Sequence, residues 1–159
     1  MVGLFGSARN EQSDTIGVQM QYVCDANELT WFRFETAGEA TLESRAMDHA
    51  VEKYFRQAYD EAVRSYKPPA AAPVMEQNIG LKAHVARAMP RFLTLRDKEG
   101  TALVTAMLPP DGKGTRAMCP VIVGRGNSDP YPEYGDAIEA LARHVGFDLD
   151  RDDCFPYRR

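Results

Sequence analysis

Ile16, Val18, Met20, Tyr22 and Cys24 alternate with Gly17, Gln19 and Gln21. A period of two predicts a strand with one buried face. Residues 25–28 (Asp-Ala-Asn-Glu) supply turn chemistry. Residues 29–35, with Trp31, Phe32 and Phe34, predict a second strand, and the two read as a hairpin. Thr36 and Glu39 then have the spacing of a capping box, in which each side chain satisfies the other's backbone N–H. Beyond it the period changes. Leu42, Ala46, Met47, Ala50, Val51, Tyr54, Ala58, Ala62 and Tyr66 recur at steps of three and four and predict one long helix over residues 39–66, about 40 Å at 1.5 Å per residue. Pro68 and Pro69 stop it.

Residues 67–75, rich in Pro and Ala, predict a semi-extended connector. A second helix follows over residues 77–89, with Leu81, Val85 and Met89 on one stripe and Pro90 marking its end. Residues 92–95 and 101–108 predict a second hairpin around Gly100. Residues 117–123 form a fifth strand. Pro120 inside it cannot donate to a ladder, which assigns this strand to a sheet edge or a bulge. A last helix carries Ile138, Leu141 and Val145 inward and ends at Gly146, with Arg143 and His144 suited to its C-terminal dipole.

The predicted order is β-β-α-α-β-β-β-α. This implies an α+β fold, a mainly antiparallel five-stranded sheet with helices packed on it. Residues 1–14 read as a flexible arm, 15–147 as a single domain, and 148–159 as an acidic-then-basic tail.

Composition changes this picture little. At 159 residues, 44% hydrophobic and 26% charged, the chain has the make-up of one globular domain. No apolar run approaches the ~20 residues of a membrane span, and the first residues lack the basic start of a secretory signal. Gly3 is not at the position myristoylation uses. Cys24, Cys119 and Cys154 are odd in number and lack metal-type spacing. Reduced thiols and a cytoplasmic location are the expectation.

Charge is more informative in its distribution than in its total of −4. Residues 82–125 hold eight basic and three acidic side chains, between two acidic flanks. The cations Arg91, Arg96, Lys98, Lys113, Arg116 and Arg125 flank the strands of this stretch. Gathered on one sheet surface they would form a positive field that meets an acidic protein or a phosphate backbone; turned inward they would complement the acidic helices. Phe92 is the one aromatic there, where single-strand binders use several. The loop over residues 124–134 places Tyr131 and Tyr134 among prolines, and Tyr and Arg are the usual interface anchors. An ordinary helix entry, capped by Asp129, explains the same residues.

No catalytic set emerges. Asp148, Asp150 and Asp152 imitate the opening of a calcium loop. That loop needs Gly at its sixth place and Glu at its twelfth, which here hold Asp153 and Arg159. The segment from Gln77 through Gly80 to Ala83 resembles the pyrophosphate loop of acyl-CoA-dependent N-acetyltransferases over a few residues. Lys82 stands where that family has a small residue, and a Pro/Ala stretch replaces the preceding strand, so the segment reads as a helix start. Gly112, Lys113, Gly114 and Arg116 can cradle an anion, but not in P-loop order. His49, His84, His144, Ser44 and Ser128 are possible catalytic groups in type only, and Glu35 and Glu39 have structural duties. Cys119, beside Met118 and Pro120, reads as a small core residue.

These features imply no cofactor and no metal. They favour a non-enzymatic protein-binding module, such as an adaptor, inhibitor or accessory subunit, with another protein as partner and no membrane. The alternatives are a nucleic-acid-associated protein using residues 82–125, and a small transferase or hydrolase.

Overall fold

The computed structural model describes residues 21–24, 27–110 and 118–158. Five strands lie side by side in sequence order, every neighbouring pair antiparallel. They are β1 (Gln21–Cys24), β2 (Thr30–Phe34), β3 (Arg91–Arg96), β4 (Ala102–Leu108) and β5 (Val121–Gly124). Helices α1 (Ala37–Met47), α2 (Val51–Arg64) and α3 (Val74–Ala88) follow β2, and α4 (Tyr131–Val145) follows β5. The fold is the expected α+β arrangement, with one helix more than the sequence pattern suggests.

Register divides the sheet into two faces. Trp31 faces Leu95, which faces Val104, and Leu93 faces Ala106, which faces Ile122. These side chains form a core with Ala137, Ile138 and Leu141 of α4. The Trp31 indole N–H donates to the carbonyl of Ala137 at 2.9 Å, so the largest side chain of this core is also hydrogen-bonded. On the opposite face, Phe34 opposite Phe92 packs with Phe55 of α2, ring centroids 5.0–6.3 Å apart. Ala40, Val51, Ala62 and Met89 complete that second cluster.

The long helix predicted over residues 39–66 is two helices. Its start is as expected: Thr36 Oγ1 accepts from the Glu39 N–H at 3.1 Å, and Glu39 Oε1 accepts from the Thr36 N–H at 3.0 Å. The helix then breaks at Asp48, which adopts a left-handed φ of 54°. The new helix end needs partners for its free N–H groups, and they come from outside it. Ser44 Oγ accepts from the Glu52 N–H at 2.8 Å, and His49 Nδ1 faces the Val51 N–H at 3.4 Å. Two shorter helices joined by this corner both lie on the sheet, which one straight rod of about 40 Å would not do.

Smaller differences have equally local causes. The third helix begins at Val74 directly after Pro73 rather than at Gln77, and ends before Pro90 as expected. β5 starts at Val121, after Pro120; Ala117 lies outside the described residues. The Pro120 carbonyl instead accepts the Phe155 N–H at 2.8 Å, and the Phe155 carbonyl accepts the Ile122 N–H at 3.2 Å. This parallel bridge covers the outer edge of β5. Residues 148–158, expected as a tail, pack on the sheet, with Leu149 and Cys154 buried in the first core. The arm over 1–14, and residues 16–20 of the first predicted strand, lie outside the described residues.

Val51 opens α2 and is 8% exposed within the second core. Val51→Asp places an unpaired carboxylate there and is expected to cost about 3 kcal/mol. At roughly 2–4 °C per kcal/mol for a chain of this size, Tm falls by about 6–12 °C. Equal melting temperatures by calorimetry would remove Val51 from the core.

Candidate functional site

Two features of the helical layer carry specific chemistry, one of them exposed and the other buried. The first is the α2–α3 pair. Phe55 and Ala62 of α2 point into the core, while Tyr54 and Tyr59 stay about half exposed. α3 buries none of its fifteen residues. It is pinned at a few points: Gln77 Nε2 donates to the Ala72 carbonyl at 2.8 Å, Ser65 Oγ meets His84 Nε2 at 2.7 Å, and Tyr66 packs over Gly80. A Cβ on Gly80 would lie 2.2 Å from the Tyr66 hydroxyl, so the tyrosine sits where any other residue would be. Between the two helices runs a cleft of about 540 Å³. Phe34 and Phe55 form its floor, Leu81 and Val85 one wall, and Arg33 and Lys82 lie at its rim. Among the described residues Lys82 has no ion pair, whereas Arg33 lies 3.4 Å from Glu35.

The second feature is a polar network buried under α1. Glu43 is fully buried, and its Oε1 accepts from Arg96 at 2.9 Å. Thr105 donates its hydroxyl to Glu43 Oε2 at 2.5 Å, and Arg96 Nε donates to Thr94 Oγ1 at 3.1 Å. Because the Thr105 proton goes to Glu43, its oxygen accepts from His49 Nε2, 2.9 Å away. This fixes the His49 tautomer, with the proton on Nε2 and Nδ1 turned to the Val51 N–H. Burial raises the Glu43 carboxyl above its ordinary value, against the pull of Arg96 and the Thr105 and Thr94 hydroxyls. Burial lowers His49, so its ring is neutral. Glu43 and His49 were not singled out together in the sequence, because neither lies in a motif.

The expected cations are not gathered in one place. Arg91 and Arg96 occupy opposite faces of β3, and both are 5% exposed. Arg91 donates to the Pro109 carbonyl at 2.8 Å and to the Tyr22 hydroxyl at 3.0 Å. Arg96 also donates to the Gly100 carbonyl at 2.8 Å. Lys98 is exposed, 3.7 Å from Glu28, and Arg125 is exposed in the turn after β5. Lys113 and Arg116, with the whole Gly112–Gly114 anion loop, lie outside the described residues.

Tyr131 is half-buried. Its hydroxyl donates to the Leu149 carbonyl at 2.7 Å and its ring meets Tyr157 edge-on, so it ties α4 to residues 148–158. Burial raises its pKa, and that of Tyr134, further above the range where a phenol titrates. Asp129 accepts from the Tyr131 N–H at 3.0 Å, the expected helix-entry role, and from Arg151 at 2.8 Å.

The remaining chemical candidates have structural roles. Ser44 caps α2. Gln77 to Ala83 lies within α3, as an ordinary helix segment. No disulfide joins the three cysteines among the described residues, and burial pushes the Cys154 thiol up to about 11, so it is protonated at neutral pH. Asp148, Asp150 and Asp153 bring carboxylates within 4.8 Å of one another. All three are exposed, and solvated carboxylates alone define no ion site. Among the described residues no helix is long and apolar enough to cross a membrane. Comparison with known proteins found no matching family model, no matching curated protein and no matching solved structure.

Removing one partner of the buried pair leaves the other charge uncompensated. Arg96→Met is expected to cost about 3–5 kcal/mol in urea unfolding, and Arg96→Met with Glu43→Leu less than the sum of the two single changes. Additive losses would show that the pair is not coupled. His49 supplies a pH test. Its folded pKa lies below the ordinary 6.5, so below that pH the unfolded chain binds the extra proton and stability falls. The stability gap between the parent and His49→Gln is therefore largest above pH 6.5 and narrows as pH drops; a gap independent of pH from 8 to 5 would refute the buried neutral ring.

Proposed function

We propose that this chain is a non-enzymatic protein-binding module, an adaptor or accessory subunit, that receives its partner on the α2–α3 face. The observation that carries this reading is α3 itself. It leaves Val74 and Met75 73% exposed and Ile79 64% exposed, while none of its residues is buried. A helix of this length is marginal without tertiary packing of its apolar side. Met75, Ile79, Lys82 and Ala86 follow one another at four-, three- and four-residue steps and so share one side of the helix. Lys82 and Ala86 also line the cleft against α2.

This arrangement suits an amphipathic partner helix that lays apolar side chains along the groove at matching steps. Lys82, without an ion pair of its own among the described residues, favours a carboxylate on the partner's flank. Tyr59 at the cleft adds an aromatic ring of the kind that dominates interface energetics. The nucleic-acid alternative draws less support, since Arg91 and Arg96, two of the cations it would use, are buried and bonded within the chain.

A photoreactive benzoylphenylalanine placed at Met75 or Ile79 in cells is expected to give one discrete adduct with a different protein. The adduct should be absent when the probe sits at Glu99, an exposed turn position, and weakened by Lys82→Glu. Equal labelling from all three positions, or adducts only between two copies of this chain, would overturn the reading.

A further inference from the structure

A second cleft, of about 470 Å³, lies at the other end of the helical layer, where α2 begins. Its floor is the β4–β5 end of the sheet. Thr105 faces Val123 and Met107 faces Val121 across the two strands, and all four line the hollow. Val51 and Tyr54 of α2 form one side, and Phe155, from the segment that bridges β5, forms another. Tyr54 and Phe155 are 50% and 58% exposed. Two large rings therefore border an apolar hollow and remain in water.

The polar groups of this cleft point to the chemistry of its occupant. His49 lines the cleft with a ring that burial keeps neutral. Its Nε2–H goes to Thr105, and its Nδ1 faces the Val51 N–H. Glu43, which receives the Thr105 proton, is held by Arg96 beneath the floor. Among the described residues the lining holds no carboxylate, lysine or arginine. A charged molecule would lose its water here without gaining a counter-charge. The side chains on offer are instead aromatic rings, the Met107 thioether and valine methyls, with the neutral Asn127 amide beside them, which favour a flat, polarisable, uncharged molecule. The volume falls in the range of small-molecule sites and accommodates one or two fused rings.

We propose that this cleft is a binding site for a small, neutral aromatic molecule, seated on Met107, Val121 and Val123 between Tyr54 and Phe155. The site is separate from the α2–α3 groove and does not require it: α2 contributes Val51 and Tyr54 here and Phe55 and Tyr59 there.

Indole is a suitable probe. Titrated into the full chain with labelled methyl groups, it is expected to give saturable shifts centred on Met107, Val121 and Val123. Indole-3-acetate, of similar shape but anionic, should bind at least tenfold more weakly. Val121→Phe, which fills the floor, should weaken indole at least tenfold, while Leu81→Phe in the other groove leaves it unchanged. Tyr54→Ala, at a half-exposed position, gives a second loss of affinity that does not depend on the first variant folding. Non-saturating shifts spread over the surface, equal affinity for the anion, or indifference to both cleft variants would overturn the assignment. So would methyl groups that ignore indole and respond only to a protein partner, which would make the cleft an extension of the interaction face.

Discussion

Glu43 and Arg96 meet at 2.9 Å with almost no access to water, and α1, β3 and β4 are joined at that contact. Removing two charges from solvent carries a desolvation penalty that Coulomb attraction alone offsets poorly, so the remaining lone pairs and protons must also be satisfied. Thr105, Thr94 and the Gly100 carbonyl do this from the sheet, and His49 closes the chain of bonds from the helical side. The pair thereby fixes where α1 crosses the strands. It also holds His49 at the corner where α1 turns into α2, because the ring that bonds to Thr105 faces the first N–H of α2 with its other nitrogen.

From that corner onward the helical layer is held progressively less tightly. α1 buries Glu39, Ala40, Glu43 and Met47; α2 buries Val51, Phe55 and Ala62; α3 fully buries no residue and only partly covers Val85 and Ala88 against the core. The gradient leaves α2 as the last firmly seated helix, with one apolar hollow beside its first turn and a groove along its second half. Low local burial is the usual condition of elements that move or exchange partners. The opposite face of the sheet has no such gradient. There α4, Leu149 and Cys154 form a continuous core around Trp31, and the bonds of Tyr131 and Asp129 tie residues 148–158 back onto it. One side of the sheet therefore provides rigidity and the other provides accessible surface.

The stretches that could be read from the chain are those where local chemistry and tertiary environment agree. The strands β2, β3 and β4, the Thr36–Glu39 capping box, the stop at Pro90 and the Gly146 helix end all depend on neighbours within a few residues. The stripe assigned to the first helix is right only in part, for a specific reason. Met47 is buried as expected, but Leu42 and Ala46 are only partly so, and Glu39, Ala40 and Glu43 share the inner face. Hydrophobic periodicity treats every glutamate as solvent-facing, so a face that buries carboxylates appears rotated. Arg96 takes the inward alternative that the sequence left open, complementing an acidic helix through Glu43.

The sequence by itself determined the α+β class, the antiparallel hairpins and most element ends, because turn residues, caps and prolines act within a few bonds of themselves. Tertiary structure alone decided the corner at Asp48, the partners of Glu43, Arg96 and His49, and the two clefts beside α2. The bonds from Glu43 to Arg96 and Thr105 and from His49 to Thr105 join residues 53 to 62 positions apart in the chain. No pattern along the sequence encodes the match between a buried acid on one helix and the base and hydroxyl that happen to face it across a sheet.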